Sequence, residues 1–98
     1  MTREEIIAAI RGNSEAIKAE GVTRLALFGS RVRGDNRPDS DIDVLVEIEP
    51  DASFSLLNLI DVEHIIEDAT GLQAQATMRR SLPLRFAQRI ADDIVEVF

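Results

Sequence analysis

Two short apolar runs joined by a charged loop constrain the fold of this chain more than any other feature. The first run, VTRLALF at residues 22–28, is closed by Gly29, and the second, DIDVLVEI, covers residues 41–48. Both lengths suit β-strands, and the second run alternates, with Asp41 and Asp43 on one side and the branched apolar residues on the other. The sequence therefore predicts two strands, one of which carries two carboxylates on a single face.

An amphipathic helix is predicted ahead of the first strand. Thr2 and Glu5 have the spacing of a capping box, and isoleucines recur at helical intervals over residues 3–20. Gly21 is suited to end this helix, because glycine adopts the backbone conformation that a helix terminus needs. The amino-terminal segment is thus predicted to pack one apolar face against the sheet.

The second half of the chain repeats this alternation of helix and strand. Apolar residues at helical spacing predict a helix over residues 52–70, stopped by Gly71. The alternation in LQAQATM, residues 72–78, predicts a third strand. A last helix is predicted to open near Pro83 and to run to about Val95. The order αβ(turn)βαβα predicts an α+β fold in which helices flank a three-stranded mixed sheet, within a single domain of residues 1–98.

Composition excludes several classes of function. The chain has no cysteine and one histidine, which excludes disulfides, thiolate zinc sites and multi-histidine metal sites. The net charge of -7 argues against a general affinity for nucleic acid, which depends on many basic contacts to phosphate. No apolar stretch approaches the roughly 20 residues of a membrane-spanning helix. We therefore expect a cytoplasmic protein with a protein or small-molecule partner.

The charged loop between the two apolar runs imitates two known motifs without matching either. Gly29 and Gly34 have the P-loop spacing, but Asp35 and Asn36 stand where that motif requires lysine and a hydroxyl residue. The run that begins at Asp39 imitates a calcium-binding EF-hand loop.

The EF-hand interpretation fails at two obligatory positions. Val44 stands where that loop requires glycine, and Pro50 stands where it requires the bidentate glutamate. Both motifs are therefore excluded.

What remains is a Gly-Ser pair, ten intervening residues and an Asp-x-Asp pair, formed by Gly29, Ser30, Asp41 and Asp43. This pattern resembles the GSx10DxD signature of the DNA polymerase β-like nucleotidyltransferases, and most closely that of the minimal nucleotidyltransferases (MNT) that pair with HEPN-domain proteins. The resemblance covers nearly the whole chain, because GSRVRG, SDIDVLV, the later alternating strand, RRSL and the terminal VF follow the family's order. It implies the nucleotidyltransferase fold.

The resemblance also implies a reaction. Family members join a nucleoside monophosphate to an acceptor hydroxyl by in-line attack on the α-phosphate, assisted by two Mg²⁺ ions. ATP or another nucleoside triphosphate is the implied substrate, and a HEPN-type toxin, for which this chain would be the antitoxin, is the implied protein partner; homo- and hetero-oligomers both remain open. The implied nucleotide-binding residues are Gly29, Ser30, Arg31 and Arg33, and the implied catalytic and metal-binding residues are Asp41 and Asp43.

Elementary geometry is consistent with these roles. Asp41 and Asp43 lie on the same side of a strand with Cα atoms ~7 Å apart, so their carboxylates can converge on Mg²⁺. The Ser30 hydroxyl and backbone N–H can donate to a terminal phosphate, and Gly29 allows a close approach of the backbone. His64, by contrast, shares helical spacing with Asp61 and Asp68 and is predicted to lie on a solvated stripe, as are the carboxyl-terminal arginines.

The family's third metal ligand is missing from the pattern. Family members carry a third carboxylate on the later strand, and the corresponding residue here is Gln75. An amide cannot act as a general base or supply the missing negative charge. Glu47 lies ~13 Å beyond Asp43 along the strand, too far to substitute. Two hypotheses follow: a protein adenylyltransferase in which one of the two metals is weakened, or a degenerate module that binds a nucleotide or a partner without chemistry.

Overall fold

A four-stranded mixed sheet organises residues 1–98 in the computed structural model, which describes the whole chain. Its strands are β1 (Val22–Phe28), β2 (Ile42–Ile48), β3 (Ala74–Met78) and β4 (Val95–Glu96), in the spatial order β3-β2-β1-β4. β1 pairs antiparallel with β2 and β4, whereas β2 and β3 are parallel. The α+β class and the mixed sheet agree with the sequence prediction, and the fourth strand is additional.

Five α-helices surround the sheet. They are α1 (Arg3–Gly12), α2 (Ser14–Ala19), α3 (Ser30–Arg33), α4 (Leu56–Thr70) and α5 (Leu84–Ile90), and two 3₁₀ turns cover Arg79–Ser81 and Ala91–Asp93. None of these helices is long and apolar enough to cross a membrane.

The amino-terminal segment forms two helices where the sequence predicts one. The predicted capping box is present, because the Glu5 N–H donates to Thr2 Oγ1 at 3.1 Å and the Thr2 N–H donates to Glu5 Oε1 at 2.9 Å. The helix breaks at Asn13, whose backbone leaves the helical region (φ -113°, ψ 15°) and whose side chain donates to the carbonyl of Ala9. Asparagine competes for backbone groups in this way, which explains the break.

The second predicted helix is shorter than the sequence pattern indicates. It begins at Leu56 instead of residue 52, because Ser55 and Asn58 form a capping box that fixes the start of α4. It ends as predicted at Gly71, which has φ 74° and donates its N–H to the carbonyl of Glu67 at 2.7 Å.

The carboxyl-terminal prediction is wrong in one respect. The predicted helix to about Val95 ends at Ile90, and the chain then extends along the outer edge of β1 as β4. The Val97 N–H donates to the Leu25 carbonyl at 2.8 Å, and the Leu25 N–H donates to the Phe98 carbonyl at 3.2 Å. Because unpaired edge groups are costly inside a fold, this pairing outweighs the helical pattern, and the sheet has four strands instead of three.

The two faces of the sheet are covered to different extents. The larger apolar cluster lies on the face that packs against α1, α2 and α4, and it includes Ile42, Val44 and Val46 from β2. The opposite face carries a smaller cluster in which Ala26, Phe28 and Leu45 pack against Ile90 of α5. The alternation predicted for β2 is thus confirmed, and part of the second face remains open.

Candidate functional site

One row of side chains crosses the open face of the sheet. Phe28 on β1, Asp43 on β2 and Gln75 on β3 are register partners, so their side chains project on the same side of neighbouring strands. Gly29 and Ser30 follow directly after Phe28 and begin the turn into α3. The fold therefore brings the Gly-Ser pair beside the Asp-x-Asp pair at one end of the sheet.

Gly29 is required because the turn passes directly against Asp43. Its φ is 85°, and a Cβ placed there would lie 2.5 Å from Asp43 Oδ2. A side chain would thus collide with the carboxylate, in a backbone conformation that residues other than glycine rarely adopt. The space that Gly29 leaves is occupied by one of the two motif aspartates.

Asp41 lies beside Gln75 at the start of β2. Gln75 Nε2 donates a hydrogen bond to Asp41 Oδ2 at 3.0 Å. The side chain of Gln75 therefore lies on the side of the sheet that the alternation predicts. Its amide donates a hydrogen bond to the Asp41 carboxylate but does not add a third carboxylate.

The carboxyl group of Asp43 is perturbed by its surroundings. Partial burial raises the pKa of Asp43, the nearby charge of Asp41 raises it further, and Arg33 opposes both effects. A bound cation would relieve this effect, because it favours the ionised form of a nearby carboxyl group.

Asp41 lines a separate pocket with two glutamates of α4, and both glutamates have structural partners of their own. Glu63 on α4 accepts a hydrogen bond from the Ala76 N–H at 2.8 Å, and Glu67 accepts one from the Ala74 N–H at 3.0 Å. These carboxylates close the free edge of β3. No group of three or more histidine, cysteine, aspartate or glutamate side chains is arranged to hold a metal ion.

The donor set is compatible with one magnesium ion. Mg²⁺ in nucleotide sites is bound by one or two carboxylates together with substrate phosphates and water. Asp41 and Asp43 supply that number of carboxylates, and Gln75 lies beside both, as the hydrogen-bond donor to Asp41 and the register partner of Asp43. The neighbouring position on β3 is the amide Gln75, so no third carboxylate is available there for a second ion.

The structure places Arg31 differently from the prediction. Arg31 is 6% exposed, and its guanidinium donates to the carbonyl groups of Ser40 at 3.0 Å and Pro38 at 3.1 Å. Its donors therefore hold the loop that leads into β2. Arg31 does not line the cleft described below, and its side chain connects α3 to the loop between the two motif halves.

Arg33 is also engaged within the chain. Its Nε donates to Asp35 Oδ2 at 3.1 Å, and its Nη1 lies 3.5 Å from Asp93 Oδ2. The hydrogen bond to Asp35 is the main cause that raises the pKa of Arg33, and Asp93 adds to it. Arg33 lines the cleft with its charge already matched by carboxylates.

A cleft of about 790 Å³ lies between the open face of the sheet and α5. Its polar lining consists of Ser30, Arg33, Asp43, Gln75, Thr77 and Arg89. Its apolar lining includes Phe28 and Phe86, whose rings meet edge to face with centroids 6.1 Å apart. Three motif residues, Gly29, Ser30 and Asp43, thus line the same cleft as the two aromatic rings.

Sequence reasoning missed the residues that α5 contributes. Arg89 was predicted to lie on a solvated helix face; it is exposed, yet it also lines the cleft, with its guanidinium carbon 6.0 Å from the centre of the Phe86 ring. The available signal was the spacing of Phe86, Arg89 and Ile90, which places them on adjacent positions of one helix. His64 is exposed on the outer stripe of α4, as predicted.

Comparisons with known proteins agree with the geometry. The family model described as a nucleotidyltransferase domain matches residues 10–96. Protein adenylyltransferase MntA of Thermococcus cleftensis is 34% identical over 98 residues, which cover 99% of this chain and 97% of that protein.

Solved structures share the fold at lower identity. A crystal structure of a toxin–antitoxin with AMP-PNP has a TM-score of 0.70 at 18% identity, covering 100% of this chain and 73% of that chain. A chain from the structure of a tri-AMPylated Shewanella oneidensis HEPN toxin in complex with MNT antitoxin has a TM-score of 0.64 at 13% identity. The match covers 94% of this chain and 71% of that chain. From its sequence match over most of its length, the chain belongs to the nucleotidyltransferase domain family.

Proposed function

We propose that this chain transfers AMP from Mg-ATP to a hydroxyl group on a HEPN-type protein partner and acts as the antitoxin of a toxin–antitoxin pair. The observation that carries the proposal is that Ser30 and Asp43 line one open cleft at the end of the sheet, with Asp41 hydrogen-bonded to Gln75, the register partner of Asp43. Two comparisons support the choice of AMP as the transferred group and of a HEPN-type partner. One similar protein is named a protein adenylyltransferase, and one similar structure is a complex of MNT antitoxin with a tri-AMPylated HEPN toxin.

The roles of the residues follow from their positions. The turn at Gly29 and Ser30 would bind phosphate oxygens through the Ser30 hydroxyl and backbone N–H. Asp41 and Asp43 would hold a magnesium ion, which when bound would offset the negative charge of the phosphates. The acceptor hydroxyl attacks the α-phosphorus and loses its proton to solvent water, the bond to the bridging oxygen of the β-phosphate breaks, and pyrophosphate leaves while AMP stays on the acceptor.

The nucleotide site is tested by calorimetry. We expect the wild type to bind ATP in the presence of Mg²⁺ and the Asp41→Ala, Asp43→Ala double variant to bind it much more weakly, because the magnesium ligands are lost. Equal affinities of the two proteins would contradict the proposed site.

A degenerate binding module is the second candidate function, and one observation favours it. Gln75 stands at the position of the third carboxylate and donates its amide to Asp41, so the site has two acidic ligands instead of three. Such a module would bind Mg-ATP and a HEPN-type partner but leave the partner unchanged. The intact mass of the partner after incubation with the chain and Mg-ATP separates the two candidates, because only the enzyme adds AMP.

We propose a protein, and not RNA, as the macromolecular partner. The net charge of -7 opposes binding to a phosphate backbone. The arginines of the motif loop are occupied, since Arg31 binds carbonyl groups and Arg33 binds carboxylates. Tight RNA binding that persists at physiological salt would contradict this choice.

A further inference from the structure

The inference concerns how the cleft balances the charge of its nucleotide, and it rests on the proposed function. A nucleoside triphosphate that carries one magnesium ion is still anionic, and Asp43, which lines the cleft, places a further carboxyl group beside it. Sites for such ligands normally include a cationic side chain with donors directed to the phosphates. The arginines of the motif loop were expected to fill this role.

Both of those arginines already have hydrogen-bond or ion-pair partners within the chain. Arg31 is buried with its donors on the carbonyl groups of Pro38 and Ser40. Arg33 lines the cleft but is paired with Asp35 and Asp93. A phosphate would have to compete with these existing partners.

Arg89 on α5 is the remaining cation of the cleft. It lines the same cleft as Ser30 and Asp43, and it forms no salt bridge in a chain whose ion pairs all involve other arginines. Its guanidinium lies over Phe86, an uncharged ring. Arginine can stack its planar face on an aromatic ring while its edge donates two parallel hydrogen bonds to phosphate oxygens.

The support for Arg89 is itself fixed in the fold. Phe86 packs edge to face against Phe28, and Phe28 is the register partner of Asp43. The side chain of Ile90, next to Arg89, is buried against the sheet. We propose that Arg89 is a nucleotide-binding residue that contacts the phosphate chain of the triphosphate.

Calorimetry with a series of nucleotides tests this assignment. We would measure binding of ATP, ADP, AMP and adenosine, each with Mg²⁺, to the wild type and to Arg89→Gln, Arg89→Lys and Arg85→Gln. Arg85 is the matched control, because it lies exposed on the same helix but does not line the cleft.

We expect Arg89→Gln to weaken ATP binding by about 10- to 100-fold, the loss typical of a charge-assisted hydrogen bond. The loss should become smaller from ATP to ADP to AMP and disappear for adenosine. Arg89→Lys should recover part of the affinity, because lysine keeps the charge but not the fork of donors. Arg85→Gln should bind every nucleotide as the wild type does, and thermal melting should show that all the variants remain folded.

Three results would overturn the assignment. If Arg89→Gln binds ATP as tightly as the wild type does, Arg89 does not contact the nucleotide. An equal loss for all four ligands, adenosine included, would place Arg89 at the base or the sugar. In both cases the proposed function would stand. A wild type that binds none of the four ligands would remove the proposed function and this inference together.

Discussion

At the scale of single residues, two glycines have nearly the same φ but different ψ, which is -160° at Gly29 and 9° at Gly34. Gly29 and Gly34 bound the short helix α3 and have φ values of 85° and 86°. A Cβ at Gly29 would lie 2.5 Å from Asp43 Oδ2, whereas a Cβ at Gly34 would meet nothing within 4 Å. A side chain at Gly34 therefore meets only the cost of a left-handed backbone, whereas one at Gly29 meets a conformation open essentially to glycine and also displaces a motif carboxylate.

We expect Gly34→Ala to lower the free energy of unfolding by about 1 to 3 kcal/mol, because alanine is strained at positive φ, and Gly29→Ala to lower it by more, because its Cβ also meets Asp43. Only Gly29→Ala should also abolish Mg-ATP binding, since Asp43 must move. Chemical denaturation and calorimetry on both variants check this. Normal nucleotide binding by Gly29→Ala would show that the position of Asp43 is not critical.

The pH dependence of stability follows from Asp43. Burial, and then the charge of Asp41, raise its pKa above the ordinary value of 3.8. The folded state then binds more protons than the unfolded state between the two pKa values, so the free energy of unfolding falls as the pH rises through that window and stays lower above it. We expect Asp43→Asn to melt at a higher temperature than the wild type at neutral pH in a chelator, and to show a weaker fall above pH 3.8. An unchanged or lower melting temperature at neutral pH would contradict this.

Gln75 offers the most informative gain of function. Gln75→Asp replaces the hydrogen bond to Asp41 by repulsion between carboxylates, so it should lower the melting temperature without metal. Mg-ATP should remove that loss through binding linkage, and the rate of nucleotidyl transfer should rise by about 10²- to 10⁴-fold. Gln75→Ala is the control, because it removes the hydrogen bond without adding charge. If Gln75→Asp changes neither the metal response nor the rate, Gln75 is not the missing ligand position.

The positions of the motif residues could be predicted from the sequence, whereas the hydrogen-bond and ion-pair partners of the loop arginines could not. A period of two fixes the side of the sheet on which Asp41, Asp43 and Gln75 lie, because a strand leaves no other choice. The partners of Arg31 and Arg33 depend on loop carbonyl groups and on Asp93, which is 60 positions away in the chain. Such contacts have no periodic signature, so they could not be predicted.

At the scale of elements, α5 connects the stability of the chain to its cleft. Ile90 is the buried residue of this helix, 5% exposed, and it packs against Ala26, Phe28 and Leu45. Phe86 and Arg89, which line the cleft, depend on that contact for their position. Leu84 on the same helix is 74% exposed.

We expect Ile90→Ala to lower the free energy of unfolding by about 2 to 5 kcal/mol, the range for truncation of a buried isoleucine. It should also weaken ATP binding, because α5 would no longer hold Phe86 and Arg89 in place. Leu84→Ala, the matched control, should stay within about 0.5 kcal/mol of the wild type. Denaturant titration and calorimetry check both effects, and equal stability of the two variants would contradict the anchoring role of Ile90.

Elements with a strong period were predictable, and the shortest element was not. β1 has the bounds that the apolar run 22–28 predicts. β4 has only two residues, fewer than any periodic pattern requires, and its existence depends on the free edge of β1. Its formation ended the predicted carboxyl-terminal helix early.

At the scale of the whole molecule, the sheet separates stability from function. The face against α1, α2 and α4 carries the larger apolar cluster, whereas the face against α5 is covered only in part and carries Asp43 and Gln75. Changes to polar residues in the cleft therefore leave most of the core intact. An acceptor group of a partner protein could reach the cleft from solvent without opening the core.

The most direct test of the central claim is the transfer of label from ATP to a partner protein. A HEPN-domain protein from the same organism would be incubated with the chain, Mg²⁺ and ATP labelled at either the α- or the γ-phosphate. We expect label on the partner only with α-labelled ATP, and none with the Asp41→Ala, Asp43→Ala variant, because AMP is transferred and pyrophosphate leaves. A partner that stays unlabelled although the wild type binds Mg-ATP would contradict nucleotidyl transfer.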